Sequence, residues 1–224
     1  MPCDLGYKNV SRVTIPAPQP LTFKKRIDAP AIDAELLELI GQDDPGFVEW
    51  ISDLDGAPLL AAALEKALAG FGNASPVDFS TDGGGLSATA KYRTAADKAR
   101  VEKIVDRVGR LWQAEVLAIV AQLLDFETQI TVMKEGGQEV VMLEGEKHGG
   151  TSQVHEYLRV TLDPAKGSAL LFEHFSSKKE LTAARSKFLA LAQKLGVKIA
   201  VTDSKESGSP IPGGSVHKHF LKGK

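Results

Sequence analysis

The sequence predicts an α+β fold in which an N-terminal helical subdomain is followed by β-hairpins packed on a long central helix and a C-terminal helix. Between residues 31 and 72 apolar side chains recur every three or four positions, whereas from residue 76 short runs alternate with a period of two. Three helical patterns precede any strand pattern, and this order argues against the regular strand–helix alternation of a doubly wound sheet.

The first two segments differ sharply in composition. Residues 1–30 are predicted to form an extended, proline-rich arm, because "IPAPQP" has three prolines and proline favours extended backbone. Residues 31–72 are predicted to form an acidic subdomain of three short helices. Asp33 is a suitable N-cap for the first helix, and Pro45 and Pro58 mark the starts of the other two.

Residues 76–203 are predicted to form an α+β domain and residues 204–224 a flexible basic tail. Within the domain we expect, in order, a hairpin, a long helix beginning after Thr94, two further hairpins, a helix capped by Ser176 or Ser177, and a final strand.

The triple glycine in "FSTDGGGLSATAKY" suggests two interpretations, a phosphate-binding loop and a hairpin turn. A phosphate loop needs glycines between a strand and the start of a helix, and here a second strand pattern follows the glycines. Asp82-Gly83 is also a favoured turn pair, because glycine accepts the positive φ of a tight turn. The pattern therefore predicts a hairpin, and no cofactor is predicted.

Composition limits the class of protein. The 224-residue chain has a formal net charge of −2 and no apolar run long enough to cross a membrane, so we expect no membrane partner. Its single cysteine, Cys3, favours a reducing, cytoplasmic location. Neither paired cysteines nor an HExxH motif occurs, so no metal site is predicted.

One group of side chains could support acid–base chemistry. His155-Glu156 and Glu173-His174 lie near the open ends of the two strands of the third predicted hairpin, where cross-strand pairing would bring them together. Histidine titrates near neutrality and a neighbouring carboxylate can orient its ring, so these four residues are the candidate catalytic group. The competing interpretation is that these four side chains are ordinary polar residues of the protein surface.

The charges are distributed unevenly along the chain. Residues 28–65 contain ten acidic and no basic residues, whereas residues 176–224 contain ten basic and three acidic residues. The basic region suggests either a nucleic-acid surface or a counterpart for the protein's own acidic helices. The candidate phosphate-binding residues are Lys178, Lys179, Arg185, Lys187, Lys194, Lys198, Lys218 and Lys222.

These patterns predict a cytoplasmic, non-enzymatic protein-interaction module, an adaptor or assembly factor that binds another protein or associates with itself. One alternative is a nucleic-acid-binding or ribonucleoprotein-associated protein that uses the basic C-terminal region. The other alternative is an enzyme with the His/Glu group of the third hairpin as its active site.

Overall fold

Helices and antiparallel strands occur in separate blocks along the chain. The protein therefore has an α+β fold. The computed structural model describes residues 7–16, 32–69, 77–82, 85–90, 92, 94–148 and 155–208. The helices are α1 (Ala34–Asp43), α2 (Pro45–Asp53), α3 (Ala57–Ala69), α4 (Ala95–Gln122) and α5 (Lys178–Lys194). The strands are β1 (Tyr7–Thr14), β2 (Val77–Asp82), β3 (Gly85–Ala90), β4 (Glu127–Glu135), β5 (Gln138–His148), β6 (His155–Leu162), β7 (Ser168–Phe175) and β8 (Ala200–Ser207).

Short polar side chains set the starts of the helices. The carboxylate of Asp33 accepts a hydrogen bond from the backbone N–H of Glu35 at the start of α1, and Asp44 accepts one from Phe47 at the start of α2. Thr94 accepts a hydrogen bond from the N–H of Asp97 at 3.1 Å, at the start of α4. These contacts satisfy donors that the first turn of a helix leaves without an internal partner.

The strands form two sheets. β2 and β3 pair antiparallel from Val77↔Ala90 to Asp82↔Gly85, and the last of the three glycines, Gly85, is the first residue of β3. The other six strands form one sheet in the order β4-β5-β6-β7-β1-β8, and every neighbouring pair in it is antiparallel.

β1 lies within the larger sheet, between β7 and β8, although its residues fall in the segment expected to be an extended arm. Two of its inward side chains, Asn9 and Ser11, are polar and fully buried. Asn9 donates a hydrogen bond to Ser204 Oγ at 2.9 Å, and the hydroxyl of Ser11 donates to the side-chain oxygen of Asn9. This network satisfies polar groups that would otherwise be costly to bury.

β8 is an edge strand, and its bounds differ from the sequence prediction. The predicted strand began at residue 197, whereas β8 begins at Ala200 and continues to Ser207, into the segment expected to be a flexible tail. Its first seven residues are exposed, so they show no inside–outside alternation from which the boundary could be read.

Apolar side chains on one face of the larger sheet form its core. Leu158 and Val160 of β6 are buried there with Phe172 of β7, whose ring meets that of Phe188 of α5 at a centroid distance of 5.7 Å. α5 ends at Lys194; Gly196, just after it, has a φ of 80°, and the N–H of Val197 bonds back to the carbonyl of Ala192. Glycine accepts this left-handed conformation without a steric cost.

Two compact units are present. One unit comprises residues 1–14, 120–189 and 200–224 and contains the six-stranded sheet. The other comprises residues 15–119 and 190–199 and contains α1–α3 with the β2–β3 pair. No helix in the described part of the chain is long and apolar enough to cross a membrane.

Candidate functional site

The larger sheet has a second face, and it carries most of the polar side chains of these strands. Along β1, β5, β6 and β7, these side chains alternate with the buried ones, as strand geometry requires. We call this surface the outer face and define it by Lys8, Val10, Arg12, Glu127, Gln129, Met142, Glu144, Glu146, Tyr157, Arg159, Leu171, Glu173, Asp203 and Lys205. Its residues belong to a single compact unit.

A hydrogen-bonded cluster lies near the middle of the outer face. Glu144 is directly opposite Arg159 in the β5–β6 register, and Arg159 Nη2 donates to Glu144 Oε1 at 3.1 Å. The hydroxyl of Tyr157 donates to the same carboxylate oxygen and accepts a hydrogen bond from Arg159 Nε at 2.9 Å. The guanidinium carbon is 5.4 Å from the centre of the tyrosine ring, within the range of a cation–π interaction.

The surroundings of Tyr157 change its acidity. Burial and the hydrogen bond to Glu144 raise the pKa of Tyr157 to about 12, and the neighbouring Arg159 opposes this shift. The phenol therefore remains protonated at neutral pH and acts as a fixed hydrogen-bond donor.

Apolar side chains adjoin this cluster. Leu171 is directly opposite Arg159 on β7, and Val10 is directly opposite Leu171 on β1. The side chain of Arg159 is 42% exposed and Val10 is 43% exposed. The outer face thus combines accessible apolar surface with polar groups held in fixed positions.

The charges of the outer face are segregated by strand. On β4 and β5 they are Glu127, Glu144 and Glu146, a net charge of −3. On β1 and β8 they are Lys8, Arg12 and Lys205 against Asp203, a net charge of +2. Glu127 and Glu146 are direct cross-strand partners, an arrangement of like charges that costs stability.

The four candidate catalytic residues lie at one end of the sheet but do not point to one place. Glu173 is opposite Tyr157, on the outer face, and its carboxylate is 3.9 Å from Lys8 Nζ. Glu156 is opposite Lys147 and alternates onto the other face. Burial raises the pKa of Glu156; Lys147 opposes that shift and Glu180 adds to it.

The two histidines have different surroundings. His155 is opposite His148, and their rings meet edge to face at a centroid distance of 4.4 Å. His174 has a φ of 65°, at a β-bulge where Glu173 and His174 together face one residue of β1. Among the described residues, no hydrogen bond or ion pair joins any two of the four candidates.

The described residues also bring together no group of three histidine, cysteine or acidic side chains that would hold a metal ion.

Several candidate phosphate-binding residues make contacts within the protein. Lys178 Nζ is 3.0 Å from a carboxylate oxygen of Glu206, and Lys194 Nζ donates to the backbone carbonyl of Ser52 at 2.9 Å. Lys179 and Lys187 also have interactions, Arg185 is half-buried, and Lys198 is exposed. Lys218 and Lys222 lie outside the described residues.

The Lys194 contact joins the basic region of the sequence to the acidic segment, residues 31–72. Ser52 is in the last turn of α2, within the acidic segment, where the carbonyls at a helix end attract a cation.

The sequence patterns did not single out Tyr157, Arg159 or Glu144. The available signal was the alternation in "YLRVTL", where Tyr157 and Arg159 lie between residues that are buried in the sheet.

Comparison with protein-family models, curated proteins and solved structures finds no match to this chain. The function is therefore inferred from the side chains themselves.

Proposed function

We propose that this chain is a protein-interaction module, an adaptor or assembly factor, that binds its partner through the outer face. The observation that carries the proposal is the Tyr157–Glu144–Arg159 cluster on an accessible sheet surface beside Leu171 and Val10. Tyrosine and arginine are enriched among the residues that dominate binding energy at protein interfaces.

The cluster is suited to binding because its side chains are already ordered. Arg159 is held by two acceptors, the carboxylate of Glu144 and the hydroxyl of Tyr157. Ordering a long, free side chain at an interface costs about 0.5–1.5 kcal/mol, and a side chain that is fixed beforehand avoids much of this cost.

The apolar part of the face supports the same proposal. Val10 is exposed next to Leu171, and Met142 of β5 is a half-buried apolar residue of the same face. Apolar side chains with a polar surround are the usual composition of a protein interface. A cytoplasmic location accords with the single cysteine of the chain.

Site-specific photo-cross-linking in an extract of the native host tests the proposal. A photoreactive residue replaces Val10 in one protein and Lys103, an exposed residue of α4, in the control. We expect covalent protein adducts from position 10, including adducts with a second copy, and a different or empty pattern from position 103. Arg159→Ala in the first protein should reduce the yield.

Absence of any protein adduct at position 10 would overturn the proposal. Identical adducts from positions 10 and 103 would also overturn it, because they would indicate nonspecific capture.

A further inference from the structure

We infer that the partner of the outer face is a second copy of this chain, bound in a two-fold symmetric dimer. This inference rests on the proposed function and names the partner that the same surface takes. It is carried by the order of charges across the sheet, acidic on β4 and β5 and basic on β1 and β8.

Strand order determines which strands meet when two such faces pack together. The sheet order is β4-β5-β6-β7-β1-β8. A two-fold axis parallel to the strands reverses this order in the second copy. β4 then faces β8, β5 faces β1, and β6 faces β7. The acidic strands of each copy thus meet the basic strands of the other.

The side chains across this arrangement are complementary. Because the axis is parallel to the strands, residues at the same level along the sheet meet. Glu146 of one copy therefore faces Lys8 of the other, and Lys205 lies next to Glu144 and one register step from Glu127. Each contact occurs twice because the interface is isologous. At the centre β6 faces β7, so the aliphatic part of Arg159 meets Leu171. The cross-strand repulsion between Glu127 and Glu146 is relieved by the opposite charges of the second copy.

The area is sufficient for a stable pair. Six strands spaced about 4.8 Å apart, each about eight residues long, cover roughly 29 by 27 Å. This footprint of about 780 Å² is close to the roughly 800 Å² that each partner contributes to a standard interface. Two twisted sheets pack face to face in this way at a separation of about 10 Å.

Charge reversal on the full-length chain tests the inference. The acidic-side variant carries Glu127→Lys and Glu146→Lys, and the basic-side variant carries Lys8→Glu and Lys205→Glu. Sedimentation equilibrium should show a dimer for the wild type and a dissociation constant at least about tenfold weaker for each variant alone. An equimolar mixture should restore a heterodimer, because each reversed patch then meets its complement.

Two controls accompany these variants. Lys103→Glu changes an exposed charge on α4 and should leave the dissociation constant unchanged. Lys205→Glu alone replaces the basic-side double variant if Lys8→Glu, which places a carboxylate beside Glu173, lowers the melting temperature.

Four results would contradict the proposed dimer. A dimer whose dissociation constant is unchanged by both reversals, or a mixture that fails to recover, overturns the inference. A wild type that stays monomeric while position 10 cross-links to another protein also overturns it and leaves the proposed function standing. A monomer without adducts overturns both.

Discussion

Tyr157 and Glu144 share a hydrogen bond across β5 and β6, and the same carboxylate oxygen also accepts from Arg159. One carboxylate thus fixes both large side chains at the centre of the outer face. Because the hydrogen bond to Glu144 changes the pKa of Tyr157, measuring that pKa tests whether the cluster is formed.

We expect Tyr157 to ionise with a pKa of about 12, well above the ordinary value of 10.0. The folded state favours the protonated phenol, so the stability that this group contributes is present below pH 10 and is lost as the pH rises through about 12. Phenolate absorbance during an alkaline titration measures it. Tyr157→Phe should remove the late phase and Glu144→Gln should move it to lower pH; a late phase that survives Tyr157→Phe would contradict the assignment.

Glu156 is expected to reduce stability at neutral pH. Burial raises its pKa, so its contribution is most favourable below pH 4.5 and is lost as the pH rises through the folded-state value. Glu156→Gln should therefore increase the free energy of unfolding at pH 7, by less than about 1 kcal/mol because the side chain is only half-buried. The difference from wild type should shrink as the pH falls below 4.5, where the carboxyl is protonated in both the folded and the unfolded state, and urea titrations at pH 7 and below pH 4.5 measure it. A variant less stable than wild type at pH 7 would count against this.

A side chain at Gly56 would press on the side chain of Leu195. A Cβ atom there would lie 2.9 Å from Leu195 Cδ2, and Leu195 is buried. We expect Gly56→Ala to lower the free energy of unfolding by about 1–3 kcal/mol. The matched control is Gly41→Ala in α1, where the nearest atom is 3.7 Å away. It should raise stability by about 0.5–1 kcal/mol in the same urea experiment; changes of equal sign would refute the packing argument.

Variants of His174 measure the free-energy cost of its left-handed backbone conformation. Its φ of 65° costs a residue with a Cβ about 1–2 kcal/mol, which glycine does not incur. His174→Val should therefore be less stable than His174→Gly by about that amount. Thermal unfolding followed by circular dichroism measures both, with His155→Gly as a control that should be destabilised. Equal melting temperatures for the glycine and valine variants would mean that the bulge relaxes.

Nucleic-acid binding is expected to be weak and nonspecific. The ammonium groups of Lys178 and Lys194 are already bonded to Glu206 and Ser52, so fewer charges are available to phosphates. A mobility-shift titration should show at most a sequence-independent shift at ~50 mM salt that disappears at physiological ionic strength. A sequence-dependent complex at physiological salt would favour the nucleic-acid alternative instead.

The helices were the part of the fold best predicted from the sequence. Capping side chains such as Asp33, Asp44 and Thr94 are local signals, and their hydrogen bonds lie within two or three residues of the cap. β1 gave no such signal, because its inward positions Asn9 and Ser11 are polar and hide the alternation of the strand. Their burial depends on Ser204, whose distance along the chain from Asn9 is 195 residues, and no local pattern contains that information.

The candidate site was less predictable for the same reason. Alternation in β6 places Tyr157 and Arg159 on one face, but pairing with Glu144 depends on the register between β5 and β6. The pairing of β6 with β7 ends at Tyr157↔Glu173, so His155, Glu156 and His174 lie beyond the paired residues that would have brought the catalytic candidates together. Register and bulges arise from contacts between strands and cannot be read from one strand alone.

The position of β1 has a consequence for synthesis of the chain. Asn9 precedes its partner Ser204 by 195 residues, so at translation rates of about 5–20 residues per second β1 leaves the ribosome about 10–40 s before β8. The edge of β1 that pairs with β8 stays open throughout that time, and the edge that pairs with β7 stays open until β7, which precedes β8 in the chain, has been made. Exposed strand edges are templates for misassembly. Closure of the sheet is therefore a late event, and ribosome-bound chains that stop short of β7 should depend on chaperones.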